Sequence, residues 1–307
     1  MRRIGVLFTV CISMACAGVC FAASKPAANP IPEMDMINIP AGTFLMGNSK
    51  VGDDSKYGSP DELPQHSVYL SAYSIGKYEV TRGQYRRFME AGGYSNKAYW
   101  SKEGWKWQET EKRTEPRYWP SEQDWGPGQP FTQTDSHPVV GVSYYEAEAF
   151  CKWAGGHLPT EAQWEKAARW DAAKNHPNVY PWGDTWDAEK CNNMNDHNEA
   201  GGGYQHNQTT PVGSYPAGAS PYGCQDMAGN AGEWCSDGYD GKYYSQTPKG
   251  GWKDPLGLPE GYRVVRGAGW YANDNYGRCA FRYYLHPNPF YTYCYGFRLV
   301  RDGGSSR

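Results

Sequence analysis

Three stretches of the chain repeat apolar residues at helical spacing, each behind a polar cap. After Thr81, the residues Tyr85, Phe88 and Met89 recur at the i, i+3, i+4 interval until Gly92-Gly93 stops the run. Ser143-Tyr-Tyr-Glu146 is a capping box, in which hydroxyl and carboxylate each satisfy a free backbone N–H. Ala147, Phe150, Cys151 and Ala154 supply the buried face behind it, and Gly155-Gly156 ends the helix. Thr160-Glu-Ala-Gln163 opens a third helix with Trp164, Ala167 and Ala168 turned inward. Strand signals are weaker. Met36 to Gly47 reads as two short strands about Pro40-Ala41-Gly42, and Ser67 to Ile75 as one half-buried strand. Val264–Gly267 and Gly296–Val300 read as closing strands. Gly52 to Gln65 reads as a polar loop. Residues 95–136 carry five tryptophans without periodicity and read as a surface excursion. From Asn175 onward the rest reads as turns and loops.

The N-terminus changes the context. Arg2 and Arg3, an apolar run from Ile4 to Val19 and the small-residue site Cys20-Phe21-Ala22 predict a secretory signal over residues 1–22. A lipoprotein signal at Cys16 or Cys20 is the lesser alternative, since the preceding residues fit a lipobox poorly. The apolar run is short for a bilayer span. The mature chain is thus expected in the periplasm or outside the cell, with a Pro- and Ala-rich leader over 23–35, one domain over 36–301 and a tail over 302–307. Export would make Cys151, Cys191, Cys224, Cys235, Cys279 and Cys294 candidates for disulfides.

Composition narrows the function classes. The net charge of −3 and the absence of any basic run exclude a nucleic-acid signature. The 307 residues include 37 Gly, 13 Trp and 25 Tyr, the mixture of a loop-rich fold held by large rings. The rings crowd into residues 263–301, between a strand-like RVVRG and a strand-like GFRLVR. They include Trp270, Tyr271, Tyr276, Phe281, Tyr283, Tyr284, His286, Phe290, Tyr291 and Tyr293, interleaved with Asn273 and Asp274. Rings with polar tips on looped backbone suit a binding surface for a ligand or protein; filling a strand-poor core is the alternative.

Seven segments in order carry a resemblance: IPAGTFLMG (39–47), YEVTRGQYRRF (78–88), the 137–169 stretch HPVVGVSYYEAEAFCKWAGGHLPTEAQWEKAAR, YPWGD (180–184), TPVGSYPAG (210–218), YGCQDMAGNAGEWCSD (222–237) and RVVRGAGW with RCAFR and YGFRLVR (263–301). Together they resemble the formylglycine-generating enzyme, or sulfatase-modifying factor, family. The resemblance implies an α+β fold, a variant of the C-type-lectin fold with little regular secondary structure, two main helices and short antiparallel sheets. It also implies oxidation of a substrate cysteine by two cysteines, copper and dioxygen. Those cysteines lie between the RGGSW-like strand and the RCA element; here that stretch, Trp270 to Gly277, has none. Asn273, Asp274 and Asn275 are hard ligands and do not replace soft thiolates for copper. No catalytic residue is therefore assigned.

The resemblance also implies calcium. Asp226 and Glu233 would supply carboxylates and Met227, Gly229 and Ala231 carbonyls, a set of hard oxygens around a Gly-rich turn. The alternative is a turn in which the two carboxylates cap N–H groups. A second set would begin at Asn192 or Asn193, where Tyr204 and His206 fall near the place of an expected Asp and aromatic. Arg278, Arg282 and Arg298, which recur in the family frame, read as buried arginines paired with carboxylates, with substrate contact the alternative. Three functions follow: an exported binding module, with 270–295 resembling the variable region of retroelement-diversified proteins; a metal-dependent oxidoreductase of the family acting on a peptide or small molecule; or a structural envelope component that holds other proteins.

Overall fold

In the computed structural model of the chain, which describes residues 33–119, 133–194, 208–271, 273–289 and 293–303, Pro40-Ala41 separates β1 (Met36–Ile39) from β2 (Gly42–Met46). A short helix α1 (Gly52–Tyr57) follows, inside the stretch that reads as a polar loop. Its Asp54 is buried and ion-paired with Arg169 and Arg278, so polarity here marks internal pairing rather than solvent. The single strand expected over Ser67–Ile75 is two, β3 (His66–Leu70) and β4 (Tyr73–Gly76). The break falls at Ser71, whose backbone N–H donates to Asp254 at 2.7 Å instead of to a strand partner.

The three capped helices are present. They are α2 (Arg82–Glu90) and, after an intervening helix α3 (Lys102–Glu111), α4 (Tyr144–Trp153) and α5 (Glu161–Arg169). Thr81 with Gln84, Ser143 with Glu146 and Thr160 with Gln163 each close both bonds of a capping box. Such caps contribute about 1 kcal/mol each. α3 corrects the reading of 95–136 as irregular. Ser101 accepts from the Gly104 N–H at 3.1 Å and starts a helix whose stripe, Trp105 and Gln108, is too mixed to show as a period.

The remaining strands are short: β5 (Trp170–Asp171), β6 (His176–Pro177), β7 (Gly232–Gly238), β8 (Trp252–Lys253), β9 (Arg263–Arg266), β10 (Tyr283–Leu285), β11 (Tyr295–Gly296) and β12 (Val300–Asp302). β7 corrects the loop reading beyond Asn175, and the strand expected over Gly296–Val300 is split into the ends β11 and β12. The sheets run β1-β4-β12, β2-β3-β8, β10-β9-β7-β11 and β5-β6. They are mixed rather than purely antiparallel, because β11 pairs with β7, and β8 with β3, in parallel. The α+β class stands.

Two cores hold these layers. Tyr85 and Phe88 of α2 meet Phe150 and Trp153 of α4 and Phe297, with Tyr85 stacked on Phe150 at 5.5 Å. Phe44, Val68, Ile75, Trp164 and Trp170 form the second core, between α5 and the strands β2 to β4. Each large apolar side chain buried this way contributes about 1.5–3 kcal/mol. All six cysteines expected to form disulfides are buried thiols, with no disulfide among the described residues. The stretch expected to hold a signal and leader, through residue 32, lies outside those residues. No described helix is long and apolar enough to cross a membrane.

Candidate functional site

β10 is an edge strand, bonded to β9 on one side. Strand alternation sends Phe281 and Tyr283 to one face and Tyr284 to the other. On the first face Phe281, Tyr283 and Tyr295 lie nearly parallel, Tyr283 being 6.4 Å from Phe281 and 6.3 Å from Tyr295, and Tyr276 stands 5.1 Å from Phe281. On the second face Tyr284 stacks on Tyr239 at 4.0 Å and meets Tyr262 edge-on, while Tyr262 also meets His286. Tyr276, Tyr283, Tyr284 and Tyr262 keep 39, 40, 43 and 53% of their surface in solvent. The surface and core readings therefore divide by residue. Those four and His286 are exposed, Trp270, Tyr271, Phe281 and Tyr293 are half-buried, and Tyr295 is buried. Trp270 packs edge-on against Tyr271 and tilts toward Tyr293 at 6.1 Å. Phe290 and Tyr291 lie outside the described residues.

Asn273 and Asp274 do something other than face outward. The Asn273 side-chain oxygen accepts from the N–H groups of Asn275 and Tyr276, at 3.0 and 3.1 Å. The Asp274 carboxylate accepts from Tyr57 at 2.9 Å and its carbonyl from Tyr180 at 2.7 Å. Asp274 fastens the loop under Tyr276 to α1 and to the 180 region, and Asn273 caps the same loop locally, so their contribution to the face is to position it.

Beneath the face runs a chain of buried ion pairs. Glu62 binds Arg278 at 2.7 Å and Asp54 bridges Arg278 to Arg169, both at 3.0 Å. Glu165 joins Arg169 to Arg266, and Glu161 takes Arg266 at 2.6 Å and Arg282 at 2.8 Å. Four guanidiniums thus meet four carboxylates. Burial alone would raise the Glu161 carboxyl, but Arg282 and Arg266 outweigh it and hold it down at about 2. Arg278 and Arg282 are each paired with buried carboxylates, as the family frame suggested, and neither has a charge left for a ligand.

Arg298 serves the 226–233 turn. Its guanidinium binds the Glu233 carboxylate at 2.5 and 2.6 Å, and Trp164 donates to the same carboxylate at 2.9 Å. Asp226, at φ +58°, accepts from the Gly213 N–H at 2.6 Å, and burial pushes its carboxyl up to about 6. Sequence reasoning missed Glu79. It is buried beside Asp226 and Glu233, which with burial push its carboxyl well upward, and its Oε1 accepts from Asn230 at 3.1 Å. Its Oε2 has no donor. Three carboxylates therefore lie near one guanidinium, and the buried Glu79 Oε2, without a donor beside Asp226, is an oxygen of the kind a hard cation takes. No group of three His, Cys, Asp or Glu side chains is disposed to hold a metal among the described residues. The Glu233 oxygens are already turned to Arg298 and Trp164. What fits a hard cation here is Glu79 and Asp226 together with carbonyls of the Met227, Gly229 and Ala231 turn. At the second expected set, Asn192 donates to Gln208 and Asn230, and Asn193 to the carbonyls of Ala188 and Cys191. Tyr204 and His206 lie outside the described residues.

The thiols line no open cleft. Cys279 belongs to the α5 core and Cys294 to the α2–α4 core, and burial pushes both up to about 12. At neutral pH both are protonated, which disfavours them as nucleophiles or metal ligands.

Residues 21–303 match the family described as the sulfatase-modifying factor enzyme 1-like domain. Hercynine oxygenase of Mycolicibacterium thermoresistibile is 34% identical over 247 residues, covering 76% of this chain and 52% of that protein. The chain thus spans about half the length of the hercynine oxygenases it matches. The formylglycine-generating enzyme of Streptomyces coelicolor is 32% identical over 280 residues, covering 82% of this chain and 83% of that one. Among solved structures, PvdO from Pseudomonas aeruginosa superposes with a TM-score of 0.63 at 24% identity, over 87% of this chain and 94% of PvdO, a likeness of fold.

Proposed function

Because the chain belongs to the sulfatase-modifying factor enzyme 1-like family, we propose that it is an exported member that binds a ligand or protein on its C-terminal aromatic face and does not generate formylglycine. The observation that carries this reading is the pair of half-exposed tyrosine arrays on the two faces of β10, set over arginines whose charges are all internally matched. Exposed rings of this kind offer large contact area at low entropy cost. The test is mass spectrometry of a CxPxR peptide after incubation with the mature protein under air. The expected result is an unchanged cysteine; aldehyde formation dependent on the protein would overturn the reading. N-terminal sequencing of the secreted protein checks the export, with cleavage near Ala22 expected. A template repeat beside a reverse-transcriptase gene would identify residues 270–295 as diversified.

Calcium is part of the same proposal. Glu79, Asp226 and the carbonyls of the 226–231 turn would hold it, neutralising the excess of carboxylates and locking the turn that leads into β7. Elemental analysis should find calcium. At a hundredfold excess over its dissociation constant, it would stabilise the fold by about 2.7 kcal/mol. The second reading, an oxidoreductase, is favoured by the names of the sequence relatives. Stoichiometric copper or iron in the purified protein would select it.

A further inference from the structure

A cavity of about 450 Å³ lies between the C-terminal ends of α2 and α3, on elements that contribute nothing to the aromatic face. Its wall includes Met89, Tyr94 and Trp105, and its rim carries Lys112 and Arg113. The volume falls in the range of small-molecule sites. The charges at the rim do not balance. Among the described residues no carboxylate lies within ion-pair distance of Lys112 or Arg113, and the buried Arg113 Nε–H has no acceptor. The lining also holds the exposed Glu109 carboxylate, which offsets one of the two positive charges, and the Arg113 guanidinium acts on the buried Glu146 carboxylate. Glu109 accepts from Trp105 Nε1 at 2.6 Å, and Glu146 accepts from Tyr94 at 2.6 Å and from the Ser143 N–H at 2.7 Å.

The main chain of both Lys112 and Arg113 is fixed. Lys112 ends α3 in the left-handed region at φ 50°, an uncommon conformation for a side chain of that size. Gln108 then clamps the next residue, donating to the Arg113 carbonyl at 2.7 Å and accepting from its N–H at 3.2 Å. A guanidinium with an unmatched Nε–H beside an apolar wall matches one ligand chemistry. A carboxylate would take the Arg113 fork and lie near Lys112, while an apolar body covers Trp105 and Met89.

We propose that this cavity is a binding site for an amphipathic carboxylate, a small organic acid with a hydrophobic body. Titration calorimetry of the full protein with sodium decanoate tests it, with decanol as the uncharged control. Decanoate should bind one site per chain, and decanol at least tenfold more weakly. Arg113→Met should weaken decanoate at least tenfold with an unchanged melting temperature, and Trp105→Ala should weaken both ligands. Equal affinity for decanol and decanoate, undiminished binding by Arg113→Met, or no decanoate binding up to its solubility limit would each overturn the proposal.

Discussion

The two faces of β10 and the ion-pair chain beneath them are built by neighbouring residues of one segment to opposite rules. Arg278 and Arg282 are buried and matched to carboxylates, while Tyr276, Tyr283 and Tyr284 beside them stay about two-fifths exposed. A guanidinium taken from water needs a fixed partner, so each position in the lower layer constrains another far away in sequence, such as Arg278 and Glu62. A half-exposed ring makes few such demands. The segment can therefore change its upper rings while its arginines keep the fold, which is the arrangement a recognition surface requires.

The largest effect expected from this contrast is on stability. Glu161→Gln leaves Arg266 and Arg282 short of charge in the core and should cost about 3–5 kcal/mol in urea unfolding. The same residue gives a pH dependence. Its folded carboxyl sits at about 2, below the ordinary 4.5, so its contribution is present above pH 4.5 and lost as pH falls toward 2. Acid unfolding of the wild type should be steep in that window, and Glu161→Gln should flatten it. A smaller loss, about 1 kcal/mol, is expected for Thr160→Ala, which removes the acceptor for the Gln163 N–H at 3.1 Å. Smaller still, Tyr276→Phe should leave stability within about 0.5 kcal/mol, as its hydroxyl belongs to an exposed side chain. Thiol titration sharpens the comparison from another side. No cysteine should react with a thiol reagent in the native protein and six should react after denaturation of the signal-free chain.

What was legible in the sequence was local. The N-cap at Thr81 and the capping boxes at Ser143 and Thr160 are local, and each starts a helix where the pattern places it. The buried roles of Arg278, Arg282 and Arg298 were legible only through the family frame in which they recur, where pairing with a carboxylate was the reading and substrate contact the alternative. β7 was not legible. Glu233 and Asp237 sit inside a buried central strand, which pattern reading takes for a loop. Their acceptance depends on Arg298 and on the Glu161 N–H, both remote in sequence. Glu79 was missed for the same reason: its neighbours Asp226 and Asn230 come from a turn about half the chain away. Asn273 and Asp274 look like recognition residues by type, but only the fold shows Tyr57 and Tyr180 meeting Asp274. The six cysteines considered for disulfides are buried thiols among the described residues, and an even cysteine count says nothing about where each thiol packs.

The most direct test of the division between face and frame is the unfolding free energy of a Tyr276→Ala, Tyr283→Ala double variant set beside the single Glu161→Gln. If the tyrosines form a surface for binding, the double variant loses less than the single one, no more than about 2 kcal/mol for two half-exposed rings. A double variant that loses as much as Glu161→Gln, or fails to fold, would show that the rings are core and would remove the basis for a binding face.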